Sequence, residues 1–217
     1  MSTNSLHHVI HRGATAQEQG APVLLLLHGY GLHEEDLMGL APHLDSELIS
    51  VGARAPYQLP FGGFAWFNIE WAEDGIRFDY DQARESMQQV AALVDEIKQD
   101  LDPSGIVIAG FSQGASMALA MGLARPDAFL GVAVLSGLCG EELMPSNPES
   151  VRGLPVFMSH GCQDDMISIE QVRAAKPLLD AYPVDLTYRE YEMMGHTIDG
   201  NCLADLKAWT ADCLPAQ

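Results

Sequence analysis

Short apolar runs recur along the chain and alternate with longer stretches of helical spacing. Val23-Leu27, Leu48-Arg54, Ile106-Ala109, Val132-Leu135, Val156-Ser159 and Leu186-Tyr191 have the length of strands, and several are apolar at nearly every position. A strand with one wet face alternates, whereas a strand covered on both faces reads as a continuous apolar run. Tyr80 to Leu101 spaces Ala83, Met87, Val90, Val94, Ile97 and Leu101 along one face, which predicts an amphipathic helix. Gln113 to Ala124 is apolar nearly all round, so a buried helix is expected there. Ser168 opens another helix with Gln171 completing a capping box, and Pro177 is expected to kink or split it. A last helix is predicted from about Leu203 to Leu214, and His7 to Arg12 is a candidate antiparallel edge strand.

Alternating strands and helices predict an α/β fold, a mostly parallel central sheet with helices on both faces. No repeat, low-complexity tract or Gly/Ser linker interrupts the 217 residues, so residues 1–217 are expected to form a single domain. Ligands of such sheets bind outside the carboxyl ends of the strands, and chemistry is sought just after each strand.

One such position is Gly110-Phe111-Ser112-Gln113-Gly114, directly after Ile106-Ala109 and opening the Gln113 helix. At an average glycine usage of ~7%, a Gly-x-Ser-x-Gly pattern arises by accident in roughly one chain in ten or twenty of this length. The strand-turn-helix context is what raises it to a nucleophile elbow, where side chains at the two glycines would collide with the neighbouring strand and helix.

A serine hydroxyl needs a base to take its proton, and on this kind of sheet the partners follow in the order serine, acid, histidine. Of eight histidines only His196 follows every plausible acid. For the acid, Asp164 and Asp165 follow Val156-Ser159, Glu141 and Glu142 follow the preceding strand, and Glu190 and Glu192 alternate along the last one. The ranking places Asp164 first and Asp165 second. An oxyanion needs two backbone N–H donors. Gln113 supplies one, and Tyr30, in His28-Gly29-Tyr30-Gly31 after Val23-Leu27, is the candidate for the other. The Tyr30 ring is an alternative lining for an acyl pocket, and His28 is read as bracing its loop. Phe61, Phe64, Trp66, Phe67 and Trp71 concentrate in what reads as a glycine-rich loop. They are candidates for a substrate wall, with Met193 and Met194 beside His196, although closure of the core beneath a long connection would account for the same aromatics.

Composition narrows the partners. Hydrophobic residues at 47% and charged residues at 19% make an ordinary globular balance, and the net charge of −19 with no Lys/Arg-rich run disfavours nucleic acid and anionic lipid. No apolar run reaches the length of a membrane span or a signal-peptide core, which points to a cytoplasmic protein. Cys139, Cys162, Cys202 and Cys213 lack zinc-site spacing and are expected to be reduced thiols, with Cys162 lying beside the Asp164 motif. No metal is expected at His7, His8 and His11, which at strand spacing do not converge and have no acidic or cysteine partner. The partner expected is a small-molecule ester or thioester, and the state a monomer or homodimer.

Four motifs together, His-Gly-x-Gly at His28, Gly110 to Leu119, His160-Gly161-Cys162-Gln163-Asp164 and Gly195-His196, make the chain similar to the bacterial carboxylesterase and acyl-protein thioesterase (phospholipase/carboxylesterase) family. The resemblance spans almost the whole chain. It implies an α/β-hydrolase fold without a large cap domain, a triad of Ser112, Asp164 and His196, oxyanion donors at Tyr30 and Gln113, and no cofactor. Tyr30 stands where many members carry Leu, Asp165 and Ser168 replace common prolines, and Asn68 replaces a usual Asp. The implied activity is hydrolysis of short- to medium-chain carboxylic esters. An acyl-protein thioesterase or lysophospholipase would use the same triad, while a non-catalytic receptor on this fold would be expected to lack one of its members.

Overall fold

The apolar runs become neighbours in one sheet. The computed structural model describes residues 6–72, 75–138 and 140–215. In chain order its strands are β1 (His8–Arg12), β2 (Val23–Leu27), β3 (Ile49–Ala53), β4 (Tyr57–Gln58), β5 (Phe64–Ala65), β6 (Ile69–Ala72), β7 (Gly75–Phe78), β8 (Ile106–Phe111), β9 (Gly131–Leu135), β10 (Pro155–Gly161) and β11 (Asp185–Tyr191). The helices are α1 (Tyr80–Leu101), α2 (Gln113–Ala124), α3 (Ile169–Asp180) and α4 (Gly200–Cys213). Seven strands form the central sheet in the order β1-β3-β2-β8-β9-β10-β11. Only the edge strand β1 is antiparallel to its neighbour, with Val9 opposite Gly52 and Ile10 opposite Val51. The expected α/β-hydrolase architecture is therefore present.

The continuous apolar strands follow from covering the sheet on both sides. Val23, Leu25 and Leu27 of β2 pack into the cluster that holds Val90 and Val94 of α1, Met117 of α2 and Val172 of α3. Leu24 and Leu26, pointing the other way, join Leu206 and Trp209 of α4. Burying each such side chain contributes roughly 1.5–3 kcal/mol before entropy is counted. A polar substitution anywhere in β2 would break one cluster or the other.

Several expectations need correction. The helix α3 continues through Pro177 rather than splitting. Proline removes one N–H, which would have reached Arg173, and with the helix ending at Asp180 little remains downstream to disrupt. At its other end Ser168 and Gln171 form the expected capping box. The last helix begins at Gly200, because the Asp199 carboxylate accepts the Cys202 N–H at 2.8 Å and fixes an earlier start than Leu203. The aromatic segment is not a plain loop, since β4 pairs with β5 and β6 with β7 in two small hairpins. The histidines near the start do have an acidic neighbour, Glu34, whose Oε1 lies 3.3 Å from His7 Nε2. Cys139 and the Trp71 side chain lie outside the described residues. Among the described residues no helix is long and apolar enough to cross a membrane.

Candidate active site

The carboxyl ends of β2, β8 and β10 and the turn after β11 converge on Ser112. That residue adopts φ 55° and ψ −118°, a conformation costly for any residue with a Cβ. The surrounding glycines let the strain exist. A Cβ on Gly110 would meet the Gly114 carbonyl, and one on Gly114 would meet the carbonyls of Leu27 and His28. The Ser112 N–H donates to Leu135 O at 2.9 Å, which fixes the turn against β9. The serine is thus lifted off the sheet onto the first turn of α2.

His196 Nε2 lies 2.9 Å from Ser112 Oγ and its Nδ1 lies 2.7 Å from Asp164 Oδ2. The wholly buried Asp164 carboxylate accepts at Oδ1 from the backbone N–H groups of Met166 at 2.9 Å and Ile167 at 2.8 Å. Burial pushes this carboxyl upward, but the Ile167 N–H, His196 and the Met166 N–H outweigh it, so its pKa sits below the ordinary value. An ionised Asp164 can only accept, so the Nδ1 of His196 carries the proton and its Nε2 is left to receive the Ser112 hydroxyl proton. The His196 ring also rests on Phe111, with centroids 4.9 Å apart. Gly161 makes the approach possible, because a Cβ there would collide with the carbonyls of Met194 and Gly195.

The rival carboxylates are elsewhere. Asp165 points to solvent, Glu141 and Glu142 are exposed on a short 3-10 helix, Glu192 is exposed, and Glu190 is held by Arg173. Among the expected oxyanion donors, the N–H groups of Tyr30 and Gln113 donate to no acceptor among the described residues, whereas neighbouring Gly31 N–H is taken by Phe64 O at 2.9 Å. His28 braces the loop as expected. Its Nε2 accepts the Ala55 N–H at 3.1 Å, which puts the proton on Nδ1, 2.7 Å from Gly29 O. Burial lowers its pKa and keeps it neutral.

Contacts that the sequence did not announce tie the site together. The side chain of Gln113 accepts from Trp66 N–H at 2.8 Å through Oε1 and donates to Phe67 O at 2.7 Å through Nε2. Ser86 of α1 donates to Trp66 O at 2.5 Å, and the Trp66 indole N–H donates to His28 O at 2.8 Å. Arg54 pairs with the buried Glu34 and covers the Phe64 ring at 4.7 Å, bracing the chain beyond Tyr30. Ser136 Oγ donates to Thr197 O at 3.3 Å, next to His196.

The aromatic candidates therefore divide. Trp66 is fully buried and Phe67 nearly so, and they belong to the core rather than to a substrate wall. Their polar backbone groups are consumed by Gln113 and Ser86, which pulls the rings inward. Phe64 is half-buried under Arg54. Phe61, 74% exposed and 6.4 Å from the Tyr30 ring, and Met193, 80% exposed, remain available to a ligand. Cys162 is partly buried, while burial raises the thiols of Cys202 and Cys213 to about 11.

The family model described as Phospholipase/Carboxylesterase matches residues 9–214. Acyl-protein thioesterase 1 of Kluyveromyces lactis is 27% identical across 94% of this chain and 96% of that protein. Carboxylesterase SOBER1 of Arabidopsis thaliana is 31% identical across 67% of this chain and 66% of its own length. The crystal structure of the Bacillus cereus carboxylesterase matches with a TM-score of 0.82 at 26% identity, covering 98% of this chain and 97% of the other. The similarity thus reaches yeast, plant and bacterial proteins.

Proposed function

The chain belongs to the phospholipase/carboxylesterase family of hydrolases, and from that premise we propose that it is a single-domain serine carboxylesterase acting on short- to medium-chain esters. The observation that carries the proposal is the unbroken chain from Ser112 Oγ through His196 to Asp164, at 2.9 and 2.7 Å. Ser112 Oγ attacks the ester carbonyl as His196 Nε2 takes its proton, and Asp164 steadies the imidazolium that results. The oxyanion is received by the N–H groups of Tyr30 and Gln113, which make no bond among the described residues. His196 then returns the proton to the leaving alcohol. Water, activated by the same imidazole, hydrolyses the acyl-serine and restores Ser112. Every proton moves among Ser112, His196, the alcohol and water, so the cycle calls on no cofactor.

A second reading, an acyl-protein thioesterase, is favoured by the Kluyveromyces lactis relative, whose length is matched almost in full, and by the exposed Phe61 and Met193, which offer apolar surface to a longer acyl chain. The test is hydrolysis of p-nitrophenyl esters from acetate to palmitate and of a palmitoyl thioester, with wild type and Ser112→Ala side by side. Loss of activity in the variant with an optimum at short or medium chains supports the carboxylesterase. An optimum at palmitate with preference for the thioester supports the second reading. Full activity in Ser112→Ala removes both.

A further inference from the structure

His160, the last residue but one of β10, is completely buried, yet no step of the proposed cycle uses it. Its Nε2 lies 2.8 Å from the Ile167 carbonyl oxygen and 3.1 Å from Asp164 Oδ2. A carbonyl oxygen only accepts, so Nε2 carries a hydrogen and Nδ1 bears a lone pair in the neutral ring. Nδ1 is buried and has no hydrogen-bond partner among the described residues. Buried polar atoms are nearly always paired, so an orphaned one calls for an explanation, and the other polar atom of the ring is where the geometry offers one.

That other atom is the Nε2–H. Asp164 receives its two backbone donors, Met166 N–H and Ile167 N–H, from the tight turn that follows it. The same Ile167 presents its carbonyl to His160, so the imidazole holds the peptide that directly follows the one donating to the carboxylate, and Ile167 is tethered on both sides. Its N–H also faces Oδ2, the oxygen that accepts from His196. We propose that His160 is a positioning residue of the triad, whose Nε2–H fixes the Asp164-Ile167 turn and thereby the aim of Asp164 at His196. The inference rests on Asp164 serving as the acid of the proposed mechanism.

The surroundings suit this role. Across the sheet His160 is in register with Glu190 of β11, and that carboxylate is engaged by Arg173 of α3 at 3.0 Å and by the Tyr188 hydroxyl at 2.8 Å. Cys162 follows two residues on with its N–H given to Tyr191 O. The carboxylate that His160 meets at contact distance is Asp164.

The experiment compares His160→Phe, His160→Gln and Asp164→Asn with wild type for kcat and KM on one p-nitrophenyl ester, with circular dichroism confirming the fold. Phenylalanine fills the space without an N–H, whereas the glutamine amide can place an N–H close to the position of Nε2. The expected result is a loss of about 10²-fold in kcat for His160→Phe with KM within about twofold, since small misplacements of reacting groups cost on that order. His160→Gln is expected to recover most of that loss. A residue that merely filled space would give the reverse order, because phenylalanine matches the ring better. Equal kcat in both variants and wild type overturns the role of His160 while leaving the triad intact. Full activity in Asp164→Asn overturns the triad reading and the His160 role together. If His160→Phe does not fold, ¹⁵N NMR of the wild type decides: a ring that carries a hydrogen on Nε2 supports the proposal, and one with its hydrogen on Nδ1 alone overturns it.

Discussion

The Gln113 side chain lends itself to a quantitative test, because a single atom change separates its two hydrogen bonds. In Gln113→Glu the oxygen that accepts from Trp66 N–H is retained, while the Nε2–H donor to Phe67 O is replaced by an acceptor. The site is 6% exposed, so an ionised carboxylate there is both desolvated and turned against a carbonyl. The protonated form suffers neither penalty, since its O–H can donate to Phe67 O. The folded pKa of the glutamate therefore rises above its unfolded value of about 4.3. Below about pH 4 both states are neutral and the variant is expected to approach wild-type stability. As pH climbs through 4.3 the unfolded chain releases its proton first, and stability falls until the raised folded pKa is passed. A rise of about 2–3 units, ordinary for a buried carboxyl, corresponds to roughly 3–4 kcal/mol lost at about pH 8. At about 2–4 °C per kcal/mol for a chain of this size, the Tm gap is expected to be roughly 6–16 °C.

The measurement is a set of paired thermal melts of wild type and variant between about pH 4 and pH 8, in which titrations common to both proteins cancel. A gap that opens steadily with pH supports the clamp. A gap constant in pH would mean that the carboxylate escapes to solvent, and the argument that Gln113 holds Trp66 and Phe67 against the elbow would be wrong. Turnover offers an independent reading, because the same residue carries a candidate oxyanion N–H, and a loosened elbow should lower kcat more than it changes KM.

Other expectations follow from the same geometry. Ser112→Gly should remove all esterase activity while raising stability by about 1 kcal/mol, because glycine adopts φ 55° without the strain of a Cβ; Ser112→Ala should be inactive without that gain, and melting curves of the two variants distinguish them. Asp164→Asn should lower kcat by about 10³–10⁴-fold, since an amide can hold the wrong His196 tautomer, and single-turnover rates at neutral pH check this. Because the Asp164 pKa is depressed on folding, its contribution to stability is present above the unfolded value of about 3.9 and is lost as pH falls through the folded one. Acid urea titrations of the asparagine variant should lack that component. Arg54→Met leaves Glu34 buried without its guanidinium and should cost about 2–3 kcal/mol, discounted for the partial exposure of Arg54. Its hydrogen bond with Arg54 holds Glu34 at about 2, so wild type gains stability as pH rises from about 2 to about 4.5, and urea midpoints of the variant should show a shallower rise.

Much of the architecture was legible because burial on two faces leaves a plain mark. Runs such as Val23-Leu27 have no polar face to give to water, and only a sheet covered on both sides can use them. The elbow was legible for a steric reason, since Gly110 and Gly114 are the positions where a Cβ has nowhere to go. The candidate base His196 followed from chain order alone. The candidate acid did not, because Asp164 and Asp165 are adjacent and chemically alike, and their places are decided by a turn that sends one inward and the other to solvent. Residue identities carry no record of that turn, so the residues gave a ranking and not a choice, and the family resemblance agreed with its first member.

The aromatic segment was left between two readings for a different reason. Aromatic density marks apolar surface without saying what covers it, and Trp66 and Phe61 contribute to that density alike although one is fully buried and the other 74% exposed. A signal that separates them does exist in the sequence, but on other elements. Gln113 opens a helix that is otherwise apolar nearly all round, and Ser86 interrupts the apolar face of α1. A polar side chain at such a position is costly unless it meets an unsatisfied partner. Residues 66–67 fall between the short strands β5 and β6, outside the central sheet, so their backbone groups must be satisfied by side chains. Two buried polar residues on adjacent helices and one stretch of unpaired backbone are complementary demands. Their coincidence pins Trp66 into the core and, through Gln113, makes the packing of that segment part of what holds the elbow of Ser112 in place.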